Sequence, residues 1–257
     1  PSISPVKPIV VMPTYNEAEN ILPMLEALAS SVPGVDVLVV DDGSPDGTAD
    51  LVDGLGWNHV TVLRRKEKSG LGGAYRAGFR WAIDHGYDAM VEMDADFSHD
   101  PASLPSLLAA AEEGADVVIG SRYIPGGSTP KWAWYRLLLS RGGNLYASGV
   151  LGLHVNDSTA GFRVYRSSIL EAMDFETVRA DGYGFQIEMT YRARGAGASI
   201  REVPIRFVDR ERGESKMSSA IVVEALWMVT VWGVKRIGRG IGQLFDVLSR
   251  TPAPDAP

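Results

Sequence analysis

The 257-residue chain contains no cysteine. That excludes disulfides, thiolate metal sites and cysteine nucleophiles, and it makes a reducing compartment the simplest expectation. Histidine is scarce: the four residues His59, His85, His99 and His154 do not cluster. Neither a Ser-His-Asp order nor a Gly-x-Ser-x-Gly elbow supports a hydrolase. No apolar run reaches the roughly 20 residues that a membrane-spanning helix needs, since the most apolar stretch, Ala220 to Val234, is broken by Glu224. The N-terminus lacks a charged segment leading into a long apolar core. No repeat of a 20–50-residue period occurs, and neither does a Walker A or Gly-x-Gly-x-x-Gly sequence. A cationic excess is missing too: 25 Lys and Arg face 32 Asp and Glu, a net charge of −7, which argues against binding nucleic acid through bulk attraction to phosphate.

What is present is a globular composition, with 45% hydrophobic and 22% charged residues, enough to exclude disorder for the bulk of the chain. Both ends are Pro-containing, so residues 1–7 read as a linker and 249–257 as a tail, and the chain is expected to be a piece of a longer polypeptide. Between them, strands and helices alternate. Strands are expected at 9–12, 35–40, 60–63, 89–93 and 117–119. Helices are expected at 18–30, 48–55, 71–85 (with Gly86 as C-terminal cap) and 101–113, the last opening on a proline. A further strand is expected at 205–208. Continuous apolar strands separated by helices indicate an α/β fold, a mostly parallel central sheet flanked by helices. Ligands of such sheets bind outside the carboxyl ends of the strands. Those ends carry the polar runs Pro13–Glu17, Asp41–Ser44, Asp94–Asp96 and Gly120–Arg122.

Asp94-Ala95-Asp96 is the sharpest of these. Two carboxylates two residues apart, just past a strand, form either a solvated acidic turn or a pair that can both reach one hard cation, Mg²⁺ or Mn²⁺, whose shell substrate phosphates complete; ending a very apolar strand beside a second acidic pair favours the cation. In Asp41-Asp42-Gly43-Ser44-Pro45-Asp46-Gly47, Ser44 or Asp46 suits a helix cap. A carboxylate at the strand end can accept from a nucleobase edge or a ribose hydroxyl. Gly70-Leu71-Gly72-Gly73 reads as a helix entry packed close to the sheet, and His99 as a residue that orients its loop. Asp157 is either a turn former or a residue facing the substrate.

From Val117 through Asn156 there is no acidic residue, while Arg122, Lys131, Arg136 and Arg141 lie among Trp132, Trp134, Tyr135 and three leucines. This is either an ordinary helix with snorkelling side chains or a surface for an anionic head with an apolar tail, or for a membrane. The run Arg210–Lys216, cations around Gly213, reads as a solvated charged loop or as one closing over phosphate, and the residues alone favour the former. The segment 218–248 is apolar in its first turns and basic at Lys235, Arg236 and Arg239. It reads as a C-terminal amphipathic helix, either buried or lying in a membrane interface. Residues 201–250 hold nine cations against six anions, so the acidic excess lies in the first 200 residues.

Pro13-Thr14-Tyr15-Asn16-Glu17, Asp41 to Thr48 and Asp94-Ala95-Asp96-Phe97-Ser98-His99 together resemble a family-2 inverting glycosyltransferase. Gly120-Ser121-Arg122-Tyr123, Gly161-Phe162-Arg163, Phe207-Val208-Asp209-Arg210 and Gly213-Glu214-Ser215-Lys216 narrow the resemblance to the polyprenol-phosphate (dolichol-phosphate) mannose synthases, from about Pro8 to the Lys235 region. The resemblance implies a GT-A fold over residues 8–217 and transfer from GDP-mannose to a polyprenyl phosphate with Mg²⁺ or Mn²⁺. UDP-glucose as donor, or a non-catalytic nucleotide-sugar-binding module, are the alternatives. Pro13, Tyr15, Glu17, Val40 and Asp42 would hold the guanosine. Asp94 and Asp96 would hold metal and diphosphate, with Ala95 lining the pocket and Ser98 standing where some relatives carry a further metal ligand. Arg122, Arg210 and Lys216 would contact donor or acceptor phosphate, joined on the acceptor side by Lys131, Arg136 and Ser215. The compact form of the family sits peripherally on the cytoplasmic side of a membrane, anchored by a partner or a fused membrane domain.

Overall fold

Side chains alternate along the first strands between two apolar clusters, and this alternation sets the architecture. In β1 (Pro8–Thr14) and β2 (Asp36–Asp41), Ile9, Val11, Leu38 and Val40 face one side, while Val10, Met12, Val37 and Val39 face the other. Both faces are therefore buried, and helices must cover each. A computed structural model describes residues 6–66, 70–209 and 224–236. β1, α1 (Ile21–Ser31), β2, α2 (Thr48–Asp53), β3 (Val60–Arg64), α3 (Gly70–Asp84), β4 (Ala89–Glu92), α4 (Leu104–Glu112) and β5 (Val117–Ser121) follow one another. Then come α5 (Trp134–Leu151), β6 (Arg163–Arg166), α6 (Ser167–Ala172), α7 (Gly182–Gly195) and β7 (Ile200–Pro204). Residues 224–236 are helical. Of the segment expected at 218–248, the rest lies outside the described residues. Among the described residues no helix is long and apolar enough to cross a membrane.

The seven strands lie in the order β3-β2-β1-β4-β6-β5-β7. All pairings are parallel except those of β6, which runs antiparallel to both β4 and β5. The five expected strands, and Gly86 with φ +71° just after α3, stand as read. The strand expected at 205–208 is displaced: β7 is Ile200–Pro204, paired with β5. It lies at the sheet edge, where Arg201 is exposed and Glu202 reaches the backbone of Asn156 and Asp157, so its charges hide it in the sequence. Beyond it, Arg206 and Phe207 make only isolated bridges to Ser128 and His99, which carry the chain across the strand ends.

The glycine-rich entry of α3 packs on a helix, not on the sheet. An added Cβ at Gly72 would lie 2.8 Å from the Phe185 ring of α7. Contact with the sheet falls nearly two turns further on. At Gly78 a Cβ would lie 2.4 Å from Val11 Cγ1 and 3.0 Å from Val40 Cγ2, so the missing side chain sets the height of α3 over β1 and β2. Gly78→Ala is expected to destabilise the protein by about 1–3 kcal/mol through overpacking, read as a lower urea midpoint with an unchanged m-value.

Candidate active site

The first two strand-end loops are stitched together by side-chain oxygens. Asn16 N donates to Ser44 Oγ, Glu17 N to Thr48 Oγ1 and Ala18 N to Asp46 Oδ2, each at 3.0 Å. Ser44 and Asp46 thus brace the neighbouring loop. The N-cap position of α2 is Gly47 in the left-handed region (φ +81°), and Asp46, one residue earlier, supplies the cap by accepting Thr48 N at 3.1 Å, while Ser44 does not cap the helix. Burial pushes the Asp46 carboxyl up, but the donors from Thr48 and Ala18 outweigh it and hold the group below its ordinary value. The two aspartates that end β2 separate by role. Asp41 is buried and accepts from Thr14 Oγ1 and from the backbone and hydroxyl of Ser44. Asp42 pairs with Arg65 at 2.8 Å and lines the cleft.

At the end of β4 the chain turns sharply. Phe97 takes φ +61°, a conformation that costs a bulky residue on the order of 1–3 kcal/mol. The turn brings Ser98 N to 3.0 Å from Asp96 Oδ1. His99 is buried and stacked on Phe162, and its Nδ1 accepts the Asp94 N–H at 3.1 Å. This fixes the ring as a positioning group for the loop, as expected. From beneath, Tyr75 donates to Asp94 Oδ1 at 3.4 Å. Burial first, then the Asp94 charge, push the Tyr75 hydroxyl well above its ordinary pKa. It remains a donor at any working pH.

The facing wall is built on a buried ion pair. Arg122, just past β5, gives its backbone N–H and Nε to Asp157 Oδ2 (2.9 and 2.7 Å) and Nη2 to Asp157 Oδ1 (2.6 Å). Burial opposes the Arg122 charge, but the Asp157 carboxylate overrides it and keeps the guanidinium above its ordinary pKa. Asp157 is wholly buried, so neither sequence reading of it holds: it is the counter-ion of Arg122. Thr159 and Asn144 extend the network to α5. Arg122 also lies 5.1–5.5 Å from the ring centroids of Tyr123, Trp132 and Phe207. Nearby, Asp209 accepts from Trp132 Nε1 at 3.0 Å and from Arg136 Nη1 at 2.7 Å.

Between the walls is a cleft of about 850 Å³. Pro13, Tyr15, Glu17, Asp42, Asp94, Ala95, Asp96, Ser98, Arg122 and Arg136 all line it. Val40 does not, because strand alternation turns its side chain into the core beneath α3. Lys131 is exposed and outside the lining. Arg210, Ser215 and Lys216 lie outside the described residues. The sequence reading missed Tyr75, Asp181, Tyr183 and Gln186 of the lining. The signal for the first was a tyrosine amid small residues at the start of a helix facing the strand ends.

Among the described residues no three acidic, histidine or cysteine side chains are gathered as a metal cage. Asp94 and Asp96 would supply two carboxylates and Ser98 a hydroxyl, while the His99 imidazole is turned to the Asp94 N–H. Hard oxygens few in number suit Mg²⁺ or Mn²⁺ with substrate phosphate and water filling the shell, so the residues fit that group.

Beneath the cleft, Arg163 is fully buried and spends its donors on Ser158 O, Ala160 O, Gln186 O, Tyr165 and Thr190. Glu92 accepts from Gln186 Nε2 at 2.8 Å, while its Oε1 has no partner among the described residues. Burial raises its pKa to about 8, against the pull of Arg163.

Residues 9–174 match the family described as Glycosyl transferase family 2. The chain is 51% identical to an undecaprenyl-phosphate mannosyltransferase of Micrococcus luteus, over 91% of this chain and 96% of that one. It is 48% identical to a polyprenol monophosphomannose synthase of Mycolicibacterium smegmatis, over 91% and 90%. Solved structures share the fold at low identity. One is a glucosyl-3-phosphoglycerate synthase of Mycobacterium tuberculosis (TM-score 0.64, 20% identical, 87% of this chain and 80% of that one). Another is a Pyrobaculum calidifontis mannosyltransferase in complex with GDP-Man and Mn²⁺ (TM-score 0.57, 17%, 98% and 77%). The architecture is GT-A.

Removing one member of the buried pair strands the other, so Asp157→Ala is expected to lower stability by about 3–5 kcal/mol, measured by denaturant titration. For Glu92, the folded state holds its proton to a higher pH than the unfolded chain, whose carboxyl titrates near 4.3. Its contribution to stability therefore falls as pH rises from about 4.5 towards 8. Glu92→Gln should gain stability relative to the parent across that window; a pH-independent difference would show that Glu92 is ionised throughout.

Proposed function

This chain belongs to glycosyl transferase family 2, and from that premise we propose that it transfers mannose from GDP-mannose to a polyprenyl monophosphate, with inversion and with Mg²⁺ or Mn²⁺. The observation that carries this reading is the cleft with unlike walls. Asp42, Asp94 and Asp96 stand on one side, and Arg122, Arg136, Trp132 and Phe207 on the other. The names of the two relatives, near 50% identical over nine-tenths of the chain, support mannose and a polyprenyl phosphate.

The chemistry follows from the acceptor. A phosphate monoester has its second pKa near 6 and is largely dianionic at neutral pH, so it needs no protein base. The described site has none well placed, since the His99 Nδ1 is already an acceptor for Asp94 N–H. One acceptor oxygen forms a bond to the anomeric carbon as the bond from that carbon to the β-phosphate oxygen breaks. The electron pair leaves with GDP, and attack from the opposite face turns an α-linked donor into a β-linked product. Asp94 and Asp96, with Ser98 beside them, would hold the divalent cation, whose charge neutralises the departing diphosphate. Asp42 and Glu17 line the nucleotide end.

On the facing wall, Arg122 is held rigid by Asp157, so its orientation is set before substrate arrives. Arg136 is shared with Asp209, so an acceptor phosphate there competes with a carboxylate for the same guanidinium. By the resemblance, Arg210 and Lys216 would contribute charge and Ser215 a hydroxyl towards phosphate, and all three lie outside the described residues. Peripheral attachment at a cytoplasmic membrane face, through a partner or a fused domain, accords with a lipid acceptor.

The test is a donor panel on purified protein with one polyprenyl phosphate. GDP-mannose with Mg²⁺ or Mn²⁺ is expected to give lipid-linked mannose, and Asp96→Ala to lower the rate at least about a hundredfold with an unchanged circular dichroism spectrum. Turnover of UDP-glucose in place of GDP-mannose would point to the other donor. GDP binding without transfer to any lipid phosphate would point to a non-catalytic module.

A further inference from the structure

One face of α5 has no cover among the described residues. Trp134, Tyr135, Leu138, Leu139 and Leu145 are 76%, 65%, 66%, 62% and 77% exposed, while Asn144, Ala147 and Leu151 on the other face are buried. The spacing is helical, so these side chains form one stripe along 18 residues, about 27 Å at 1.5 Å per residue. An added Cβ at Gly142 or Gly149 meets nothing within 4 Å, so no neighbouring element among the described residues interrupts the stripe. It continues onto the helical residues 224–236, where Tyr146 Oη meets Thr230 Oγ1 at 2.9 Å and Trp227 is 69% exposed. Monomeric proteins rarely leave so large a contiguous apolar surface in water.

We infer that this face of α5 is the surface by which the protein lies on an anionic lipid bilayer. Three features select a bilayer over a protein partner. First, residues 117–156 contain no acidic side chain, and of the cations on and beside this helix Lys131, Arg141 and Arg236 stand exposed. That arrangement suits anionic head groups. Second, Trp134 and Tyr135 begin the helix and leucines follow, the mixture of amphipathic rings and aliphatic side chains that sits at a lipid–water boundary. Third, the stripe begins where the cleft opens, since Trp132 and Arg136 line the cleft and Tyr135 belongs to the stripe. A lipid phosphate held in the cleft would lay its chain along this face. A protein seated there would close that path. The inference rests on the lipid-phosphate reading of the acceptor for this third point alone.

The experiment is co-sedimentation of the full chain with phosphatidylcholine vesicles, with and without phosphatidylglycerol. It is run beside transfer of mannose to a short-chain, water-soluble prenyl phosphate. The parent is expected to bind the anionic vesicles. The double variant Leu138→Glu, Leu145→Glu is expected to bind at least about tenfold more weakly, while its thermal midpoint and its transfer to the soluble acceptor match those of the parent. Both leucines point to solvent and neither lines the cleft, and Trp134→Gln provides a second, milder variant with the same expected direction. Equal vesicle binding by parent and variants overturns the inference, and so does a parent that stays off anionic vesicles. A dimer in light scattering that the leucine changes convert to monomer, without vesicle binding, assigns the face to a second copy and also overturns it. A parent that binds vesicles through the stripe but transfers to no prenyl phosphate upholds the docking surface and removes the acceptor reading.

Discussion

A guanidinium taken out of water must meet a carboxylate, and the pairing of Arg122 with Asp157 organises the cationic half of the molecule around that requirement. Asp157 accepts three donors from Arg122. Its own backbone, with that of Asn156, is held by Glu202 of the edge strand. Asn144 of α5 takes Ser158 N–H and its hydroxyl. One buried charge pair thereby fixes the end of β5, the loop before β6, the angle of α5 and part of β7. The aromatic side chains that close over Arg122 come from three of these segments. Because the charges of the pair cancel, this wall attracts phosphate by orientation more than by net charge. Arg136, also paired with a carboxylate, extends the same logic.

The acidic half is built differently. There the carboxylates divide into those consumed by the fold and those left at the cleft. Asp41 and Asp46 are saturated by backbone and hydroxyl donors, and their work is to hold two loops in register. Asp42, one position past the end of β2, and Asp94 and Asp96, past the end of β4, line the cleft. Glu92, two residues before Asp94, faces Arg163 and Gln186 inside the core and is held protonated well above the usual range. The end of β4 thus sorts residues of one chemistry: Glu92 is the last residue of the strand, inside the sheet, and Asp94 lies past it, where the chain leaves the sheet for the cleft.

The strands that carry the acidic loops are legible because they are short apolar runs ending in polar ones, and a parallel sheet places such ends together. Asp94, Asp96 and Asp42 could be found on that argument alone. The elements that sequence periodicity hides are those whose burial depends on distant partners. β6 is bounded by Arg163 and Arg166, and a strand of four residues with cations at both ends reads as surface until five buried acceptors appear around Arg163. Asp157 reads as a turn residue because its partner lies 35 positions away. A resemblance names positions, Val40 at the nucleotide among them, while the pleat decides which face a position occupies. α7 places Tyr183 and Gln186 at the cleft, but a helix buried on most sides shows no amphipathic pattern.

The stereochemistry of the product tests the central claim most directly. If an acceptor phosphate dianion attacks the anomeric carbon without a protein nucleophile, a single displacement occurs. The one-bond carbon–hydrogen coupling at the anomeric centre of the lipid-linked mannose, measured by NMR on material made from GDP-mannose, should then report the β configuration. An α-configured product would require retention, and with it a covalent intermediate or a front-face attack that contradicts this account.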